Sequence, residues 1–400
     1  MSPNPPTHMK VVQVSQSYHP RPGGVTEHVD HITRELRRRG HDVTVITSSF
    51  GAQCPPEPGV VRVGRNVLIP INGAWVNTTI GWNLSRQLSQ LLSSLKPDII
   101  HTHCPLAPTL PLMALKSAPR TSRVIGTFHA AAERSAGYQV FRNLLARLAE
   151  RLDTRIAVSE AARSLASSYF PGDYLVVPNG VDCERFSPRH SPLHQYEDGA
   201  FNVLFVGRMD KRKGLKHLFR AVTLASRNTS RQLRLIVVGD DGLRRHLLPS
   251  LPPTVDLVFT GVVDRNLLPR YFATGDVFCS PAIDRESFGI VLLEAMASGV
   301  PVVATAIPGY LTILRDDYNS LVVPPADEVS LSRAILRLME DDPLRWKLTN
   351  NALKFSRAYH WQRVVDQLEA VYRRQQAEWD WRADQPRAVH GTVKAGAQKV

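Results

Sequence analysis

Residues 10–47, KVVQVSQSYHPRPGGVTEHVDHITRELRRRGHDVTVIT, decide the class of fold. Lys10-Val-Val-Gln-Val14 is a short β-rich run, and His19-Pro-Arg-Pro-Gly-Gly24 is a Pro/Gly loop. From about Val25 to Arg39, Val29, Ile32, Thr33 and Leu36 recur at helical spacing, and Gly40 supplies a stop. Asp42-Val-Thr-Val-Ile-Thr47 is a second β-rich run. Strand, loop, helix and strand in that order start a parallel sheet.

The pattern continues outward with short strands at 98–101, 124–128, 155–158 and 174–178, separated by helical stretches. Arg185-Phe-Ser-Pro-Arg-His-Ser-Pro192 has the composition of a linker. A second series then opens with strand Asn202-Val-Leu-Phe-Val-Gly207, a charged loop to Gly214 and a helix from Leu215 to Ala225. Further strands follow at 233–239, 257–261 and 277–281. Two such series predict an α/β protein of two Rossmann-like, doubly wound domains facing each other across a cleft, with ligands at the carboxyl ends of the strands. The expected boundaries are a disordered start at 1–9, a first domain at 10–188, a second at 189–360 and a disordered tail at 381–400.

The bulk numbers agree. Four hundred residues exceed one ordinary core, and 43% hydrophobic with 21% charged residues excludes wholesale disorder. The four cysteines form no C-x-x-C pair, so neither a disulfide framework nor a zinc site is indicated. There is no basic segment followed by an apolar run at the start, and Ile290 to Gly309 is interrupted by Glu294, Gly299 and Pro301. The expected location is cytoplasmic, with peripheral attachment to the inner face of the membrane as an option. The net charge of +13 divides as +7 on residues 1–188 and +6 on 189–400, which is not the block of charge that nucleic acid requires. Anionic small molecules or an anionic membrane surface are the candidate partners, beside a merely solvated basic surface.

Asp284-Arg-Glu-Ser-Phe-Gly-Ile-Val-Leu-Leu-Glu-Ala-Met-Ala-Ser-Gly-Val-Pro301 follows a strand and reads as loop, helix and glycine stop. Glu286 and Glu294 are eight residues apart, which in a helix is about 12 Å of rise along one edge. That distance suits two hydroxyl-bearing rings separated by a diphosphate. Surface glutamates are the bland alternative, but Glu294 stands in Ile-Val-Leu-Leu-Glu-Ala-Met-Ala, where a buried carboxylate needs a partner. The amides of Phe288, Gly289 and Ile290 can face a phosphate at the helix start, and Ser287 offers a hydroxyl or a cap.

Arg208, Lys211, Arg212 and Lys213 put four cations into one loop after a strand, either for a diphosphate or as a solvated basic turn. Gly23 and Gly24 let backbone amides approach an anion, or simply make a tight turn. His129 directly follows a strand, and His101 and His103 form an H-x-H for which the sequence offers no third metal ligand. No metal is therefore expected.

The E-x7-E element from Glu286 to Glu294 closely resembles that of the retaining GT-B glycosyltransferases of family 4, and the surrounding residues resemble the phosphatidylinositol mannosyltransferases within it. The similarity runs from about Lys10 to Arg374. It implies a hexose transferred with retention, most simply α-mannose from GDP-mannose, to a lipid of the phosphatidylinositol type, with no tightly bound cofactor. A family 4 transferase using a UDP-hexose on another lipid or a soluble acceptor is the alternative, and a non-catalytic sugar-nucleotide-binding protein is the non-enzymatic one.

The resemblance assigns Arg208 and Lys213 to the donor diphosphate, Gly23 and Gly24 to its phosphate and sugar, Glu286 to hexose hydroxyls and Glu294 to the ribose. It places Val263, in the loop Gly261-Val-Val-Asp-Arg265, near the nucleobase. It makes His129 the cleft histidine beside hexose and acceptor, with Tyr18, His19 and Arg134 on the acceptor side. It also implies that a helix at about 361–380 returns to the first domain.

Two departures stand out. Cys104 and Leu106 replace the Glu and Asn common in the mannosyltransferases, and Arg265 is basic where they tend to be acidic. Finally, Val140, Phe141, Leu144, Leu145 and Leu148 among Arg142, Arg147 and Arg151 suit an interfacial helix from Tyr138 to Leu152, or a helix packed on its own sheet.

Overall fold

A computed structural model describes residues 8–383 apart from 22, 52–53, 55, 72–73, 133 and 240–247. The expected disordered ends lie outside the described residues except for 8–9 and 381–383; Met9 is in fact fully buried, and 381–383 continue the last helix.

The first sheet has eight strands: β1 (Lys10–Val14), β2 (Asp42–Ser49), β3 (Val60–Ile71), β4 (Ala74–Ile80), β5 (Ile99–His103), β6 (Arg123–Phe128), β7 (Thr154–Ala157) and β8 (Leu175–Val176). The second has six: β9 (Phe201–Val206), β10 (Leu233–Val238), β11 (Val255–Gly261), β12 (Val277–Ser280), β13 (Val302–Thr305) and β14 (Leu321–Val323). Their orders are β4-β3-β2-β1-β5-β6-β7-β8 and β11-β10-β9-β12-β13-β14. Both reverse direction beside their first strand, as in the doubly wound dinucleotide-binding fold.

Among the described strands only β4 is antiparallel, pairing β3 from Arg65↔Ile80 to Ile71↔Ala74. The sequence reading assigns no strand between Thr47 and Asp98, so this edge hairpin is an addition to it.

Alternation along the strands shows why helices cover both faces. Along β9, Phe201, Val203 and Phe205 enter one core with the helices Leu215–Ser226 and Glu328–Glu340, while Leu204 enters another with Ile290–Ala297. In the first sheet Val12 and Val14 face the helices Leu84–Leu95 and Leu110–Ser117. Val11 faces the opposite side, where Ile32 and Leu36 of the helix Gly24–Arg38 are buried.

The final helix, Trp361–Ala383, lies in that same core through Trp361, Val364, Val365, Leu368 and Tyr372. Five large side chains buried at about 2 kcal/mol each make it an integral part of the first domain. Ion pairs from Arg39 to Glu369 (2.9 Å) and to Asp366 (2.8 Å) fasten its outer face. The two chain crossings between domains run side by side, with Val181 N donating to Tyr359 O at 2.8 Å. A Cβ on Gly180 would lie 2.5 Å from the Trp361 ring, so glycine lets this junction close tightly.

Candidate functional site

The loops at the two switch points, after β1 and β5 in one sheet and after β9 and β12 in the other, face a common cleft. After β9 the chain makes a single turn at Lys211–Lys213, with Asp210 accepting from Lys213 N at 3.3 Å. Gly214 then takes φ +68, and a Cβ there would lie 1.8 Å from Pro281 O. The loops after β9 and β12 are thus in backbone contact. Across that contact Lys213 Nζ stands 3.0 Å from Glu286 Oε1. Arg212 is held by Asp210 at 3.0 Å, donates to Arg285 O at 3.0 Å and stays 3.7 Å from Glu286, so it braces the loop. Arg208 is exposed and makes no hydrogen bond or ion pair with a described residue.

Glu286 and Glu294 do not share a helix. The helix runs from Ile290 to Ala297, and the left-handed residues Arg285 (φ 58) and Gly289 (φ 88) bend the chain before it. The helical estimate of 12 Å between the glutamates therefore does not apply. Gly289, not Ser287, is the N-cap, and it leaves the first helical amides without a side-chain partner. Phe288 has its ring buried in the core, so only its backbone can face a ligand. Glu294 lies between buried Leu293 and Ala295. Burial, with the Glu27 carboxylate adding to it, pushes its acid up to about 7 despite Arg185 and Arg265 nearby.

The helix Gly24–Arg38 lines the opposite wall. Gly23 has open space where a side chain would project, and Gly24 faces Ile290, whose Cδ1 would be 3.5 Å from its Cβ. One turn on, Glu27 Oε2 accepts from Arg265 Nη2 at 2.7 Å and lies 3.9 Å from Arg185. Arg265 also approaches Asp30 and His19, each at 3.5 Å. Arg265 thus spans the cleft, close to Val263 on the same loop. Sequence reasoning passed over Glu27, Asp30 and Arg185, because exposed-looking charges on a helix and in a linker carry no pattern.

Tyr18 needs correcting. It is 1% exposed, packs on Val29 and Val45, and shares a 3.3 Å hydrogen bond with Asp30, so its side chain lies behind the cleft surface and does not line it. Arg134 is exposed. At the first of the two departures, Leu106 is buried in the core of the first domain, while the Cys104 thiol is pushed by burial up to about 11.

His129 is 8% exposed just after β6, and its ring neighbours come from β5 and the helix Gly24–Arg38. Its Nε2 is 3.1 Å from His103 Nδ1, and the His28 ring stands edge-on with centroids 4.7 Å apart. His28 is fixed by Asn179 at 2.7 Å. His28 and His129 thus join one member of the H-x-H, His103, in a group of three. Their nearest ligand atoms all lie within 4.8 Å of one another, the closeness a metal site needs. His101 turns away instead, to Tyr372 at 2.7 Å and Thr127 at 2.6 Å. Burial drives all four rings toward the neutral form: His28 down to about 4, His101 to about 3, and His103 and His129 well below the usual imidazole range.

Chemically, one wall offers Arg208, the paired Lys213 and helix amides, the other glycines and a neutral histidine. That set can hold a diphosphate and hydroxyl-bearing rings. Comparison with known proteins agrees. Residues 22–185 match the family model described as Glycosyltransferase Family 4, and residues 190–355 match that described as Glycosyl transferases group 1. A phosphatidyl-myo-inositol mannosyltransferase of Mycolicibacterium smegmatis is 33% identical over 354 residues, covering 88% of this chain and 90% of that protein. A D-inositol 3-phosphate glycosyltransferase of Geodermatophilus obscurus is 30% identical over 428 residues, covering 93% and 88%. Among solved structures, HepE of Anabaena in complex with UDP-glucose superposes with a TM-score of 0.71 at 20% identity, covering 91% of this chain and 99% of that one.

Proposed function

The chain belongs to glycosyltransferase family 4, and from that premise we propose that it transfers α-mannose from GDP-mannose, with retention, to a lipid acceptor of the phosphatidylinositol type. The observation that carries this reading is the 3.0 Å Lys213–Glu286 pair at the second switch point, in a chain one-third identical to a phosphatidyl-myo-inositol mannosyltransferase along nine-tenths of that protein's length.

In this reading the donor's diphosphate lies against Lys213, Arg208 and the amides of Phe288, Gly289 and Ile290. Preorganised positive charge there stabilises the leaving group more as its charge develops than before. Glu286, released from Lys213, accepts from hexose hydroxyls, and Glu294 from the ribose. Val263 and Arg265 stand at the nucleobase end, while Gly23 and Gly24 close over the phosphates. Attack occurs on the face from which the diphosphate leaves, so a departing phosphate oxygen takes the acceptor's proton. His129 and Arg134 then orient hexose and acceptor, with Ser287 adding a hydroxyl, and no metal or tightly bound cofactor is invoked.

Membrane attachment belongs to the same reading. No described helix is long and apolar enough to cross a bilayer. The stretch read as one interfacial helix is two, Ala136–Val140 and Arg142–Ala149, joined at Phe141. Leu145, Leu148 and Ala149 are buried, but Val140, Phe141 and Leu144 are 74%, 57% and 52% exposed beside exposed Arg142 and Arg147. An apolar knuckle ringed by cations suits an anionic bilayer surface holding the acceptor.

One observation favours a second reading: the cation Arg265 at the nucleobase end points to a UDP-hexose and another lipid or soluble acceptor. Transfer assays on phosphatidylinositol vesicles with GDP-mannose, UDP-glucose and UDP-N-acetylglucosamine separate the two. Mannosyl lipid formed only from GDP-mannose is the expected result, and turnover restricted to a uridine nucleotide refutes the first reading.

A further inference from the structure

A buried chain of side chains runs from the final helix to the cleft histidine, and its donor–acceptor logic has a definite direction. His103 Nε2 is 2.7 Å from Gln13 Oε1, an atom that only accepts, so Nε2 carries the His103 proton. The ring is neutral, which leaves its Nδ1 as an acceptor. The donor facing that nitrogen is His129 Nε2, at 3.1 Å. His129 is neutral too, so with its proton on Nε2 its Nδ1 is bare.

The same orientation of Gln13 is matched by the groups one step deeper. Gln13 Nε2 donates to the Tyr372 hydroxyl at 3.2 Å. With that bond made, the Tyr372 hydroxyl has its own proton for His101 Nδ1 at 2.7 Å, which puts the His101 proton on Nε2, 2.6 Å from Thr127 Oγ1. Were Gln13 flipped, its amide would donate to His103 Nε2. The His103 proton would then sit on Nδ1, and the His129 proton would move to Nδ1 as well. Gln13, His101, Thr127 and Tyr372 are all within 2% of complete burial, so no water competes for these bonds.

We propose that Tyr372 and Gln13 are positioning residues for the transfer reaction: they fix His129 as the Nε2–H tautomer and leave its Nδ1 as a hydrogen-bond acceptor for a substrate hydroxyl. The role in transfer rests on the reading of His129 as the residue beside hexose and acceptor; the tautomer itself does not. The returning helix thereby does more than clasp the first domain, because its Tyr372 sets a proton position at the cleft. A metal bound by His28, His103 and His129 is the competing use of the same nitrogens, since it would replace the proton on His129 Nε2.

The test is long-range proton–nitrogen NMR of the full ligand-free chain with labelled histidine, the His129 signals being assigned by their loss in His129→Asn. The wild type is expected to show His129 as Nε2–H. Tyr372→Phe should mix or invert that tautomer in a chain that still folds, with its melting point lowered by the two buried bonds lost, and lower kcat about tenfold with donor KM unchanged. Gln13→Met reaches the same end from the other side of the chain, should Tyr372→Phe unfold the protein. An unaltered His129 tautomer in both variants overturns the proposal, as does one equivalent of zinc in the purified wild type. If the tautomer shifts but the wild type transfers no sugar, the relay stands and the reading of the site as a transferase centre falls.

Discussion

Lys213 Nζ and Glu286 Oε1 meet at 3.0 Å although they belong to loops after different strands, β9 and β12. Both side chains are about 15% exposed, so each charge neutralises the other. In the proposed reading a diphosphate that takes Lys213 frees Glu286 for hydroxyls, so one event prepares both halves of the donor site. Lys213→Ala should lower kcat/KM by about 10²- to 10³-fold, the usual loss for one preorganised charge aimed at a developing anion. Steady-state rates measure this, and activity within about tenfold of the wild type would contradict the role.

Glu294 makes stability depend on pH. Burial raises its acid from 4.5 to about 7, so the folded state holds a proton that the unfolded chain releases earlier. Its contribution is fully present below about 4.5 and lost by the time pH passes about 7. Between pH 4.5 and 8 that loss is about 3 kcal/mol at most. Glu294→Gln, uncharged at every pH, should remove this slope, so urea denaturation should show the variant less stable relative to wild type at pH 4.5 than at pH 8. Parallel stability profiles for the two proteins would show that Glu294 is solvated.

How much of this was written in the chain differs by kind of interaction. The parallel sheets were legible, because apolar runs such as Leu233–Val238 are buried on both faces and read continuously. The β3–β4 hairpin was not, since its residues mix Gly, Pro and Asn and its pairing is made at an edge. Glu286, Lys213 and Arg208 were legible as a motif on neighbouring loops. The relay from Tyr372 to His129 was not: it joins residues from four elements that alternate among apolar neighbours and resemble core. Nor was Arg265–Glu27, which depends on how two domains meet.

Gly309 supports Glu286 without touching any ligand. Its backbone is ordinary helical (φ −65, ψ −39), yet a Cβ there would lie 1.8 Å from Glu286 O. Gly309→Ala must therefore push the loop that carries Glu286. Overpacking of this kind costs about 1–3 kcal/mol, and the displaced carboxylate should lower kcat with the fold intact. Thermal melts with kinetics on one preparation test this, and unchanged kcat would place the strain elsewhere.

The exposed knuckle of Val140, Phe141 and Leu144 predicts vesicle binding. Changing all three to Asp removes apolar surface that the fold does not bury, so melting should be unaffected. Sedimentation with phosphatidylinositol vesicles should fall at least about tenfold, since each inserted side chain contributes of the order of 1 kcal/mol. Equal sedimentation of variant and wild type would assign the membrane contact to another surface.

Arg265 and Glu27 connect the domains through one ion pair of 2.7 Å, with Asp30 at 3.5 Å reinforcing it. Both side chains are partly exposed, so the pair is worth about 1 kcal/mol, or about fivefold in the ratio of closed to open cleft. Arg265→Glu sets three carboxylates together across the cleft and should open it, raising the radius of gyration in small-angle scattering. Glu27→Arg on its own crowds Arg265 and Arg185 and should open it as well. Combining the two restores an opposite pair, so the double variant should be more compact than either single one. Additive expansion would mean that the two residues do not act on each other, and that the cleft is held by the junction at Gly180 and Trp361 instead.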